Sequence, residues 1–171
     1  MYKKLFMVIC MAALLAGIIF LLGCSSGGNT QGGNTQAGPY TDTEITPTIT
    51  NDIVSIPVSV IESKRNIHFG LATAKGDTSF EAYMFNGAIQ VRASFCVPCR
   101  GTSFTLNGDK LICNNCGTVF SAKDGKGLSG VPACQGYPKA AVAFTTDGGN
   151  IVMKGSDLIT AFNNTLSPGL P

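Results

Sequence analysis

The sequence predicts a small, mainly-β domain that carries a double CxxC hairpin and ends in a short helix. Three observations predict it. From Ile53 onward, β-branched and aromatic runs alternate with Asn-Gly, Asn-Gly-Asp and Asp-Gly-Gly turns. Cysteines follow the spacing Cys96-x2-Cys99-x13-Cys113-x2-Cys116, with Cys134 shortly after. Near the carboxy terminus, Ser156 and Asp157 open a segment to Phe162 that reads as a short capped helix.

The elements follow in order. Ile53–Ile61 is dense in β-branched residues, although Pro57 implies an edge strand or a break. Ile67–Ala74 is a second strand, ended by Lys75-Gly76-Asp77. Phe80–Val91 is a third, either interrupted by Asn86-Gly87 or folded there into a tight hairpin. Thr102–Leu106 and Lys110–Ile112 flank Asn107-Gly108-Asp109 as a hairpin that joins the two CxxC turns, and Val119-Phe120 continues outward. Gly125–Gly136 reads as a loop carrying Cys134. Ala140–Phe144 and Asn150–Met153 form another hairpin around Asp147-Gly148-Gly149.

The amino terminus addresses the chain. Lys3 and Lys4 precede an apolar run from Leu5 to Leu22, and Leu21-Leu22-Gly23-Cys24 gives way to Ser25-Ser26-Gly27-Gly28. A basic start and apolar middle define an export signal. The Leu-x-Gly-Cys end resembles a bacterial lipobox, which implies acylation of Cys24 and a lipid anchor on the membrane. The alternative is an uncleaved helix, since the run sits at the lower edge of spanning length. Either way the remainder faces the extracytoplasmic side, because the positive residues stay inside.

The chain then divides into a signal peptide (1–23), a lipidated Gly/Asn/Thr/Gln-rich tether (24–47), a cysteine-ligated metal-binding domain (48–165) and a tail (166–171). In the tether GGNTQ occurs twice in succession. It holds nothing that can bury apolar surface, and residues 25–40 would span roughly 20–25 Å as Gly-rich coil. Of twelve Lys/Arg, Lys3 and Lys4 leave with the signal, so ten remain against ten Asp/Glu. With no basic excess, electrostatics offers no case for nucleic acid.

Two CxxC turns one hairpin apart bring four thiolates to one tetrahedral point, so Cys96, Cys99, Cys113 and Cys116 are the candidate metal ligands, with Cys134 as an additional candidate. Gly117 can take up the positive φ that such a knuckle needs. The arrangement is of the rubredoxin or zinc-ribbon type. It fits an iron or iron–sulfur centre and structural zinc alike, because ligand softness does not separate them. Copper is less favoured, since no Cys/Met spacing supports it.

The stretch from about Asn66 to Phe162 resembles the membrane iron–sulfur-containing, FtrD-like family. The residues that carry this are Phe95-Cys96-Val-Pro-Cys99, Asn107-Gly108-Asp109, Ile112-Cys113-Asn-Asn-Cys116-Gly117-Thr-Val-Phe120, Gly130-Val-Pro-Ala-Cys134 and Gly155-Ser-Asp157-Leu158. The chain departs from the family near the fifth cysteine, where Pro132-Ala-Cys134-Gln-Gly-Tyr-Pro138 replaces Gly-Gly-Cys-Asn-Pro, and in having a lipobox where many members have several membrane helices. The resemblance implies a non-enzymatic role in electron transfer or metal handling linked to metal uptake, beside a membrane transporter or reductase.

Two alternatives stand beside this reading. One is a zinc-stabilised binding module without redox turnover. The other is a thiol/disulfide protein, since exported cysteines commonly oxidise; against catalytic exchange, the CxxC turns run into strands instead of opening helices. A Rieske centre needs two histidines and His68 is alone, while c-type haem needs CxxCH, where Arg100 and Gly117 stand. His68, between Ile67 and Phe69, points to the wetter strand face as an ordinary histidine, with nitrogen ligation as the sharper alternative. Met84 and Met153 read as core. Arg92, Arg100 and Lys110 either offset thiolate charge or are solvated.

Overall fold

A computed structural model of the chain describes residues 38–73 and 76–168. The expected signal peptide, Cys24 and the GGNTQ repeat lie outside these residues. In chain order the elements are β1 (Tyr40–Thr41), β2 (Thr43–Glu44), β3 (Thr48–Thr50), β4 (Ile53–Pro57), α1 (Val58–Lys64), β5 (Asn66–Thr73), β6 (Gly76–Phe85), β7 (Ala88–Ala93), β8 (Phe104–Asn107), β9 (Lys110–Cys113), β10 (Val119–Ser121), β11 (Gly127–Ser129), α2 (Pro132–Gln135), β12 (Thr145–Asp147), β13 (Asn150–Lys154) and α3 (Gly155–Leu166). The domain is mainly β and closes on a helix, as expected.

Three sheets organise it. One has the order β2-β5-β6-β7, a second β12-β13-β4-β3, and a third β1-β8-β9-β10-β11. The turns between paired strands are the ones the sequence announced. Asn86 and Gly87 both take positive φ between β6 and β7, and β8 and β9 pair up to Asn107↔Lys110 around Gly108-Asp109.

Strand β6 separates two cores. Its alternating side chains Phe80, Ala82 and Met84 enter a large core with Ile56, Ile67, Phe69, Ile151, Met153 and Leu158. Between them, Tyr83 points the other way into a smaller core with Phe104, Leu106, Leu111, Phe120 and three of the cysteines. Phe69 and Phe80 stack at 5.5 Å, and Phe162 of α3 meets Phe80 edge-on. Phe69 and Phe80, both fully buried, each contribute about 2–3 kcal/mol of apolar burial. The large core holds the scaffold together; the small one is built around sulfur.

Several expected elements differ. Val58–Ile61 is not strand: β4 stops at Pro57, where the ladder loses a donor, and the chain turns into α1. Burial of Ile61 overrides the β-preference of Val58 and Val60. Pro57 therefore marks a break and not an edge, because β4 lies between β13 and β3. The expected 125–136 loop contains β11 and α2, the latter begun by Pro132 at its first turn. Ala140–Phe144 runs beside β7 through bonds at Ala140 and Val142, and the hairpin arm is Thr145–Asp147. Helix α3 starts at Gly155, extends to Leu166 and has no side-chain cap; the Asp52 carbonyl accepts the Gly155 N–H instead.

The folded part also begins earlier than the expected tether boundary. Tyr40–Thr41 pairs with β8 and Thr43–Glu44 runs parallel to β5. Between them Asp42 accepts a 2.7 Å hydrogen bond from the Ser103 hydroxyl, which fastens this lead-in to the cysteine hairpin. Among the described residues no helix is long and apolar enough to cross a membrane.

Candidate metal centre

Two turns with one hydrogen-bond frame present the cysteines. In the first, Cys96 N–H donates to Gly101 O and Arg100 N–H to Cys96 O. In the second, Cys113 N–H donates to Thr118 O and Gly117 N–H to Cys113 O. The fifth residue of each is left-handed, Arg100 at φ 59° and Gly117 at φ 69°. Gly117 was legible as such a residue; Arg100 was not, since a charged side chain there is uncommon.

The turns interlock. Asn115 donates to Cys99 O at 2.7 Å, and Asn114 N–H donates to Ser103 O. Gly101 sits where a Cβ would lie 2.8 Å from Cys113 Sγ and 3.3 Å from Cys99 Sγ, so its missing side chain is what lets the turns close. Cys134 arrives on α2. The Thr118 hydroxyl accepts the Val131 N–H at 3.2 Å, tying the approach to α2 to the second turn.

The five cysteines among the described residues are therefore brought together. Cys99 Sγ lies 3.7 Å from Cys113 Sγ, Cys96 Sγ 4.0 Å from Cys116 Sγ, and Cys116 Sγ 3.9 Å from Cys134 Sγ. Cys96, Cys99, Cys116 and Cys134 place their sulfurs within 4.8 Å of one another, and Cys113 adjoins them through Cys99. Sulfurs bonded tetrahedrally at about 2.3 Å to one ion stand about 3.8 Å apart, so the observed separations fit a thiolate-ligated metal. They are far from the roughly 2.05 Å of a disulfide; the five are free thiols.

The thiols are electrostatically unlike one another. Burial pushes Cys96 strongly up and takes Cys113 to about 11. Desolvation also raises Cys116, but hydrogen bonding with the Thr118 side chain and backbone, then with Cys99 and Cys113, outweighs it and brings the thiol down to about 6. Cys116 and Cys99 are half-buried while Cys96, Cys113 and Cys134 are buried. One thiolate is thus ready near neutral pH at the wet edge, whereas Cys96 and Cys113 need a positive centre to ionise.

A family profile described as membrane iron–sulfur-containing protein, FtrD-like, matches residues 61–164, more than half of the chain and the whole cysteine constellation. The chain belongs to this family. No curated protein matches it. Among solved structures it is similar to a chain in the complex of reduced oxygenase and oxidised ferredoxin in carbazole 1,9a-dioxygenase, at 16% identity over 62% of this chain and 95% of that one, with a TM-score of 0.49. It is also similar to the ferredoxin of Sphingomonas yanoikuyae B1, at 19% identity over 50% and 83% with a TM-score of 0.40. The plasma-membrane Rieske protein PetC3 of Synechocystis PCC 6803 gives 22% identity, 57% and 94% coverage and a TM-score of 0.42.

The cofactor of this FtrD-like protein is iron or an iron–sulfur group, and the candidate donor group that the fold gathers is all cysteine. His68 is not in that set; it is partly buried on β5, with Nε2 2.8 Å from Ser79 Oγ. Arg92 neither faces the sulfurs nor is solvated: buried, it donates to the Tyr83 hydroxyl and to the carbonyls of Lys123 and Lys139. Arg100 is exposed, and Lys110 pairs with Asp109 at the surface at 2.7 Å. Met84 and Met153 lie in the large core.

The basic residue that does reach the centre is Lys139, which sequence reasoning missed. It is 1% exposed, and its ammonium donates to Phe95 O and Tyr137 O, each at 2.8 Å. Burial pushes it down to about 8, and the sulfurs of Cys96, Cys113, Cys134 and Cys99 push it back up. A lone lysine after Tyr-Pro in a loop carries no periodic signal that would have marked it.

Proposed function

We propose that the protein is a lipid-anchored, extracytoplasmic electron carrier whose cysteine-ligated iron centre serves a membrane transporter or reductase in metal uptake. The observation that supports the reading is the approach of two matched knuckles, whose sulfurs meet in two short pairs at 3.7 and 4.0 Å beside Cys134. The matched frames supply Cys96, Cys99, Cys113 and Cys116 as ligands, and each short contact between the knuckles joins the first cysteine of one to the last of the other. Cys134 packs against Cys116 as a fifth sulfur.

Bound iron would supply a one-electron couple. The chain's own part is to fix the sulfurs before the metal arrives and to seal three of them from water. It leaves Cys99 and Cys116 towards the surface as the route to a partner. Acylated Cys24 and the Gly-rich segment would hold the domain at the membrane while letting it swing between partners.

Protein purified from its native host should be coloured, bleach with dithionite, and contain iron with no free thiol among the four ligands. A colourless sample containing zinc would replace this reading with the structural zinc module. Cys24→Ser should move the protein from the membrane fraction to the soluble one; retention would remove the lipid anchor from the proposal.

A further inference from the structure

Lys139 poses a problem that the fold alone does not answer. Its side chain lies in the small core, with the ammonium 4.2 Å from the Phe120 ring centroid and 5.7 Å from that of Phe104. Its backbone is pinned as well, the N–H on Gly125 O and the carbonyl under Arg92 Nη1. Among the described residues no carboxylate lies within ion-pair distance of it. Two carbonyls and two ring faces compensate part of the cost of burying a cation, but a methionine would fill the same space with no such cost. The buried acid of the neighbourhood, Glu81, is not within ion-pair distance of it, and desolvation pushes its carboxyl well above the usual range.

The charges that act on the ammonium are those of sulfur: Cys96, Cys113, Cys134 and Cys99 all favour its protonated form. Phe95, whose carbonyl it holds, directly precedes Cys96, and the two rings beneath it share a core with Cys96, Cys113 and Cys134. We propose that Lys139 is a positioning residue whose fixed positive charge balances the thiolates of the centre and thereby raises its reduction potential. This rests on the reading of the centre as iron that takes up an electron. Reduction adds one negative charge to the thiolate–metal unit, with no bond broken and no proton leaving Lys139. A buried cation nearby stabilises the reduced form more than the oxidised one, and water does little to screen it there.

The test is redox titration of the holoprotein with mediator dyes and dithionite, comparing Lys139→Gln, Lys139→Met and Lys139→Arg. Gln keeps hydrogen-bond donation to the carbonyls and loses the charge; Arg keeps the charge. Both neutral variants should show a reduced-to-oxidised ratio at least tenfold lower at fixed potential, a drop of about 59 mV for a one-electron couple. Arg should stay close to the wild type. If the neutral variants do not retain iron while Arg does, the requirement for charge is shown by metal content instead. A Gln variant at the wild-type potential makes Lys139 a structural anchor and overturns the proposal, as does loss of iron from all three. A wild-type protein with no reducible centre would instead sink the electron-carrier reading, so the two failures are distinguishable.

Discussion

Position by position, Cys96–Gly101 and Cys113–Thr118 make the same two backbone hydrogen bonds, yet their last two places are filled in opposite ways. The first knuckle puts Arg100 in the left-handed place and Gly101 after it. The second puts Gly117 in that place and Thr118 after it. The first has therefore given up a side chain where the second cysteine pair must fit, and accepts backbone strain beside it. The second is unstrained and uses its sixth residue as a chemical group, a buried hydroxyl that contacts Cys116 at 3.1 Å and holds the approach to Cys134. One turn supplies room and the other supplies polarity. That division explains how two copies of one local frame hold thiols with such different proton affinities.

Removing a sulfur tests the comparison most severely. Cys113→Ser should lose the metal and, with it, several kcal/mol of metal-coupled stability. Cys134→Ser should keep the metal with an altered spectrum, because the matched knuckles already complete a four-sulfur set. Elemental analysis of the two purified variants decides it. The reverse outcome would give the fourth place to Cys134, which lies in the mutually close group with Cys96, Cys99 and Cys116, and would break the equivalence of the knuckles at its root.

The glycines come next. In Gly101→Ala the new methyl group meets Cys113 Sγ at 2.8 Å and Asn115 Cβ at 2.9 Å, so the cost should be about 1–3 kcal/mol with weaker metal retention. In Gly117→Ala the Cβ meets nothing within 4 Å, and only the left-handed backbone opposes it, at about 1 kcal/mol. Chelator competition separates the two: Gly101→Ala should release metal faster, whereas Gly117→Ala should lower stability and leave release unchanged. Equal release rates would mean that the room beside Cys113 is not what Gly101 provides.

Much of this was legible in the sequence, and the unread parts share a cause. The CxxC spacing, the Gly117 turn, the Asn86-Gly87 and Asn107-Gly108-Asp109 hairpins and the core roles of Met84 and Met153 are local signals, each written within a few residues. Val58–Ile61 was misread because helix there depends on where Ile61 is buried, not on the preferences of Val58 and Val60. Strands β1 and β2 were hidden because two residues apiece carry no period, and their pairing with β8 and β5 is non-local. Arg100 and Lys139 escaped for the same reason. One is left-handed because the knuckle imposes it, and the other is buried because a loop far along the chain folds back over Phe104 and Phe120.

Thr118→Val addresses polarity. It removes the hydroxyl beside Cys116 and orphans the Val131 N–H, at about 1 kcal/mol for the lost bond. In the metal-free protein the Cys116 thiol, held at about 6, should move up towards the ordinary value of about 8.5. A folded-state value below the unfolded one contributes stability above the unfolded pKa and loses it as pH falls through the folded one. Metal-free stability should therefore rise between about pH 6 and 8.5, and this rise should flatten in the variant. The pH dependence of iodoacetamide alkylation reads the shift directly, and an unmoved midpoint would assign the low value to the Thr118 backbone and the other cysteines instead of the Thr118 hydroxyl.

The smallest effect has the opposite sign. Arg100→Gly gives the first knuckle the residue that the second already has at its left-handed place. Relief of roughly 1–2 kcal/mol of left-handed strain is partly offset by roughly 0.5–1 kcal/mol of extra chain entropy in the unfolded state. The variant should be more stable by about 0.5–1 kcal/mol in denaturant titration, with metal content and redox potential unchanged, since the guanidinium is exposed. A lowered potential on losing this surface charge would show that Arg100, and not the buried lysine alone, contributes to the field at the sulfurs. A loss of stability would mean that the arginine side chain makes a favourable contact that outweighs its backbone strain, and the two knuckles would then differ in more than the exchange of room for polarity.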